Sequence, residues 1–155
     1  MSQENLDVYM QGADAINARQ ISDDAAERLL APSFRMENIS TALTEKTYHG
    51  AAGAREWIRD TFEVVDESAR YEVEDILAHG KDFVVARVGI VGHGARSEVP
   101  VAMRWVNVTW FQDGKMTRTA GYLRRREALE AVGLNRVGDV AGEERGDRGA
   151  GTCGV

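Results

Sequence analysis

Apolar residues recur at a helical spacing through most of the first 65 residues and at every second position from Tyr71 onward, so a mainly helical part precedes a strand-rich part. Residues 4 to 19 place Leu6, Val8, Tyr9, Ala13 and Ile16 on one stripe, with acids early in the segment where the helix dipole favours them. Ser22-Asp23-Asp24 offers an N-cap for a short second helix, Ala25 to Leu30, which Pro32 stops. A short strand is expected from Phe34 to Ile39. A polar loop ending in Tyr48-His49-Gly50 follows, and Ala54, Trp57, Ile58, Phe62 and Val65 give a third helix, Ala51 to Val65.

The second part reads as a run of strands. Tyr71 to Leu77 and Phe83 to Val91 flank a His79-Gly80-Lys81-Asp82 turn, and a loop over Gly92 to Ser97 leads past Pro100 into a strand ending at Phe111. Asp113-Gly114-Lys115 turns the chain into a last strand, to about Leu123, and a short helix closes at Gly133. Helix, helix, strand, helix and four strands in a row predict an α+β fold with a meandering antiparallel sheet. Beyond Asn135 six of the last 18 residues are glycine and the charges lack any period, which predicts a domain over 1–135 and a disordered glycine-rich tail over 136–155.

Composition narrows the function classes. The 155 residues suit one domain, and 43% hydrophobic against 28% charged residues is the balance of a globular chain. A net charge of −6 argues against nucleic acid or an anionic membrane as partner. A single cysteine, Cys153, excludes an internal disulfide, and His49, His79 and His93 lack metal-ligand spacing, so no metal or other cofactor is expected. The early acids and the lack of a long apolar run suggest a cytoplasmic protein.

The helix start from Gly50 to Trp57, the Asp113-Gly114-Lys115 turn, Tyr122 and the closing Arg125-Arg126-Glu127-Ala128-Leu129 resemble the SnoaL-like branch of the NTF2-like superfamily, over roughly residues 4 to 134. The resemblance implies a cone: a curved antiparallel sheet wrapped around three N-terminal helices, with a short C-terminal helix and a mainly apolar pocket. It also implies a homodimer through the convex face. On the strand 104 to 111, Trp105, Asn107, Thr109 and Phe111 share one face and Arg104, Val106, Val108 and Trp110 the other. A sheet apolar on both sides needs both covered, and a second subunit would cover the convex one.

The resemblance also tests known chemistries by position. Ketosteroid isomerases keep a carboxylate base, a tyrosine and a neutral carboxylic acid where this chain has Asn38, Gly12 and Asn107. Limonene-epoxide-hydrolase-like proteins keep two acids where Gly89 and Gly121 stand and a tyrosine where Met36 stands, leaving Asn38 and Arg87 of that set. The expected function is therefore binding of a small hydrophobic or aromatic molecule by Asn38, Arg87 and Asn107, with Trp57, Trp105 and Thr109 in the wall. Parity alone points the aliphatic face of Val84, Ala86, Val88 and Ile90 inward and Arg87 outward, whereas the resemblance points Arg87 inward. Two alternatives remain: a hydrolase, cyclase or isomerase with a displaced acid or base, His93 or Asp75, and a dimeric interaction module without catalysis.

Overall fold

The computed structural model describes residues 2–38, 46–97 and 99–134. Among them are four helices and six strands: α1 (Ser2–Ala18), α2 (Asp23–Leu29), β1 (Leu30–Asn38), β2 (Thr47–His49), α3 (Gly50–Phe62), β3 (Arg70–His79), β4 (Phe83–His93), β5 (Pro100–Gln112), β6 (Lys115–Tyr122) and α4 (Arg125–Ala131). The expected tail over 136–155 lies outside the described residues. Ser22 caps α2 by accepting the Ala25 amide at 3.0 Å. That helix gives way directly to β1 at Leu30, so the lone strand starts four residues earlier than its apolar pattern indicated. Pro32 sits where the pairing of β1 with β6 shifts register between Leu30 and Arg35, which accommodates a residue with no amide hydrogen.

The strands form one open, curved sheet in the order β2-β1-β6-β5-β4-β3. All neighbours are antiparallel except β1 and β6, which run parallel, so the sheet is mixed rather than wholly antiparallel. The segment ending in Tyr48-His49, expected as loop, is the edge strand β2. Three residues are too few to display a period. Helix α3 ends at Phe62, and Val65 instead bridges to Gly94. Between β5 and β6, Asp113 and Gly114 both take positive φ (54° and 81°), as a two-residue hairpin turn requires.

Helices α1 to α3 pack on the concave side, where Val84, Ala86, Val88 and Ile90 of β4 meet Tyr9, Ala13, Trp57, Ile58 and Phe62. The convex side carries a second cluster, in which Val85, Val106 and Val108 lie under Ala128 and Leu129 of α4. The apolar convex residues assigned from sequence to a second subunit are thus buried in part by the chain's own last helix. The register shifts between Val73 and Asp75 and between Ile76 and Ala78 in β3, and between Trp110 and Phe111 in β5, are irregularities of the kind that bend and twist a strand.

Candidate functional site

The concave side holds a cavity of about 80 Å³ between α1, α3 and the sheet. One wall is aromatic. Trp57 of α3 meets Tyr71 of β3 edge to face at 6.5 Å between centroids, and Tyr71 tilts against Trp105 of β5 at 6.3 Å. Aliphatic side chains from α1, α2 and β1 and the thioether of Met116 complete the lining. Neither the Trp57 nor the Trp105 indole N–H forms a hydrogen bond among the described residues.

A hydrogen-bonded chain crosses this apolar space. The Tyr71 hydroxyl lies beside that of Tyr9, and the Tyr9 hydroxyl donates to Asn107 Oδ1 at 3.4 Å. The same oxygen accepts from Thr109 Oγ1 at 3.0 Å, while Asn107 Nδ2 donates to Thr119 Oγ1 at 3.1 Å. Thr119 Oγ1 in turn reaches the Val108 carbonyl at 3.2 Å. Asn107, Thr109 and Thr119 are all buried, so any group left unbonded would cost roughly 1–3 kcal/mol. Sharing hydrogens along this route commits the hydroxyls of Tyr9, Thr109 and Thr119 and one of the two Asn107 amide hydrogens. The second amide hydrogen stays uncommitted, on a side chain that lines the cavity.

Both phenols are held protonated. Burial, with Tyr71 alongside, pushes the Tyr9 hydroxyl well above its ordinary value, and burial pushes Tyr71 up to about 12 against a smaller opposing effect of the neighbouring Tyr9 hydroxyl. At neutral pH they hydrogen-bond but take no proton, so they do not act as bases. The one carboxylate among the residues lining the cavity is Glu37. Burial raises it, but hydrogen bonds from Arg35 (2.7 Å) and Arg118 (2.9 Å) outweigh burial and hold it below the usual carboxylate range. A carboxylate so committed to two guanidinium groups is a poor proton acceptor.

Of the residues singled out from sequence, Trp57, Trp105, Asn107 and Thr109 come together around the cavity. Arg87 does not join them. It stands on the convex face, 38% exposed at the side chain, with Nη1 3.9 Å from Oδ2 of Asp75. The inward placement implied by resemblance is overturned by simple parity: Val84, Ala86, Val88 and Ile90, all fully buried on the concave side, leave the opposite face to Arg87. Asp75 is 61% exposed beside Arg87 and cannot serve the cavity as a displaced acid. His93 is exposed at the end of β4, where its Nδ1 lies 3.5 Å from Ser68 Oγ, and it is not among the lining residues. Asn38 ends β1 opposite Gly121, and its side chain falls outside the described part. Among the described residues no group of His, Cys, Asp and Glu is arranged to hold a metal ion, and no helix is long and apolar enough to cross a membrane.

Sequence reasoning missed Tyr9, Tyr71 and Thr119. Tyr9 stands on the apolar stripe of the first helix, a pattern that is silent about its hydroxyl. A buried tyrosine needs a partner for its hydroxyl, and two of them on elements that face each other were the available sign of a polar chain inside the cone.

A curved open sheet folded over three helices, with a small apolar cavity and a few buried hydrogen-bonding groups, defines an NTF2-like cone. The sequence profile of the SnoaL-like domain matches residues 11–119, and the chain belongs to that family. No curated protein matches it. Solved structures share the fold at low identity. An NTF2-like protein of unknown function from Mesorhizobium loti is 19% identical, with a TM-score of 0.60 over 79% of this chain and 93% of that one. TerC, co-crystallised with polyporic acid, is 16% identical, with a TM-score of 0.62 over 82% and 96% of the two chains. A protein of ketosteroid isomerase-like fold from Catenulispora acidiphila, in complex with trimethylamine, is 15% identical, with a TM-score of 0.60 over 79% and 89%.

Proposed function

We propose that this protein binds a small, mainly apolar molecule in the concave cavity and orients it through one oxygen atom held by Asn107. The observation that carries this reading is the uncommitted Asn107 amide hydrogen on a mainly apolar wall. A filled core gains nothing from a four-residue polar chain that ends in an unused donor, whereas a ligand oxygen placed there completes the hydrogen bonding. The low-identity neighbours TerC and the Catenulispora acidiphila protein were crystallised with small organic molecules, which is consistent with this use of the fold.

Binding is favoured over turnover by the acid–base inventory. Tyr9 and Tyr71 stay protonated, Glu37 is tied to two arginines, and Asp75 and His93 stand away from the cavity. The test is calorimetric titration with acetophenone, an apolar ring bearing one carbonyl, alongside native mass spectrometry of freshly purified protein. Saturable one-to-one binding that Asn107→Ala weakens about tenfold, the worth of roughly 1.4 kcal/mol, is the expected result. Equal affinity in wild type and Asn107→Ala would overturn the role of the amide.

A further inference from the structure

Two glycines decide how much of the cone is empty. A Cβ built on Gly121 of β6 would stand 3.2 Å from Cδ1 and 3.5 Å from Nε1 of Trp105, so the indole lies directly against the β6 backbone. A Cβ on Gly12 of α1 would stand 3.2 Å from Cε of Met116, so the thioether lies equally close to the helix. Each glycine thus admits a large side chain from a neighbouring element into space that a β-carbon would otherwise take.

The two side chains differ in how far they can give way. Trp105 is held on one side by Gly121 and on the other by the Tyr71 ring. Met116 is an unbranched thioether with rotatable bonds, the kind of side chain that adapts to what is placed beside it. The resulting cavity of about 80 Å³ is smaller than the roughly 150 Å³ known to hold benzene, and far below the ~300–1,000 Å³ of sites for drug-sized ligands. A turn of the flexible Met116 side chain would enlarge it toward the room that one ring needs. Fused second and third rings would need more, and the indole of Trp105 is a large, closely held side chain in the cavity wall.

Charge limits the ligand as well. No Lys, Arg or His is among the residues described as lining the cavity, and Glu37 is already paired outside it. A ligand carboxylate would be desolvated there without a counter-ion, which disfavours binding. The group on offer is a donor, the free Asn107 amide hydrogen.

We infer that Trp105 and Met116 are size-selecting residues that restrict the site to an uncharged, single-ring molecule with a hydrogen-bond-accepting oxygen. This rests on the binding function proposed above. The experiment measures calorimetric affinity for acetophenone, acetonaphthone, fluorenone and benzoate in wild type, Trp105→Ala and Met116→Ala. Wild type is expected to bind acetophenone, to bind the two-ring ketone at least tenfold more weakly, and to reject both the three-ring ketone and benzoate. Trp105→Ala is expected to gain at least tenfold for the two larger ketones, and Met116→Ala to gain for the two-ring ketone. Trp105→Leu, a shorter apolar side chain, takes the place of the alanine form if that form does not fold, with a gain in the same direction. Fluorenone bound by wild type as tightly as acetophenone, tight binding of benzoate, or an unchanged order in the Trp105 variants would overturn size selection while leaving the binding function standing. Failure of wild type to bind any of the four would overturn the binding function and this inference together.

Discussion

Asn17 gives Tyr71 the pair of hydrogen bonds that a neighbouring strand would give: the Tyr71 amide donates to Oδ1 at 2.8 Å, and Nδ2 donates to the Tyr71 carbonyl at 2.9 Å. Strand β3 is an edge of the sheet, so these backbone groups have no strand on that side. One side-chain amide on α1 therefore closes the edge at this residue and anchors the backbone of Tyr71, which lines the cavity. Asn17→Ala is expected to lower stability by about 1–3 kcal/mol in urea unfolding, because it strands a part-buried donor and acceptor. It should also weaken acetophenone binding without touching the ligand. Stability within about 0.5 kcal/mol of wild type, the range of ordinary surface changes, would rule out the clamp.

Tyr9 and Asn107 lie 98 positions apart in sequence and meet through the hydroxyl-to-amide bond. Because the hydrogen is passed along one chain, loss of either member leaves the other short of a partner. Tyr9→Phe and Asn107→Leu should each destabilise the protein. Their combination should cost less than the sum, with a coupling on the order of 0.5–3 kcal/mol in a double-mutant cycle. Strict additivity would show that the two side chains do not share a network.

The concave cone was legible in the sequence because its signal is periodic. Trp105, Asn107 and Thr109 alternate with Val106 and Val108, and the structure places the two sets on opposite faces. The parallel pairing of β1 with β6 left no such trace, since it joins segments about 80 residues apart and follows from how the sheet wraps the helices. The role of α4 was hidden for a related reason. Its Ala128 and Leu129 announce a short helix but do not say which apolar surface it will cover. For Arg87, alternation along β4 was a better guide than family position, because burying a guanidinium among the valines of β4 would need a partner there.

The placement of Arg87 gives a clear expectation. Its contact with Asp75 is long at 3.9 Å and solvent-exposed on both sides, and such pairs contribute about 0–1 kcal/mol. Arg87→Ala should leave acetophenone affinity unchanged and shift unfolding by no more than that amount. A tenfold loss of affinity would return Arg87 to the site.

Glu37 makes stability depend on acid. Burial alone would raise its carboxyl, but the bonds from Arg35 and Arg118 leave it below its unfolded value of 4.5. A group lowered on folding contributes stability that is fully present above pH 4.5 and is lost as the pH falls through the folded value. Urea unfolding measured from neutral pH downward should therefore show a decline beginning near the ordinary carboxylate range, and Glu37→Gln should remove part of it. Parallel acid profiles for the two proteins would contradict this role.

Helix α4 has seven residues, too few to be stable alone, so packing on the sheet must hold it in place. Ala128 is fully buried and Leu129 is 9% exposed, above Val85, Val106 and Val108, which are 0%, 4% and 0% exposed. Leu129→Ala should cost roughly 2–5 kcal/mol, the usual range for removing a buried leucine side chain. Loss of this anchor also frees the helix from the face it covers. Bare valines on a convex sheet face are a surface for association, so the variant should form concentration-dependent oligomers in sedimentation experiments to a greater extent than wild type. Retention of both wild-type stability and wild-type sedimentation would show that α4 is not what keeps the convex face covered.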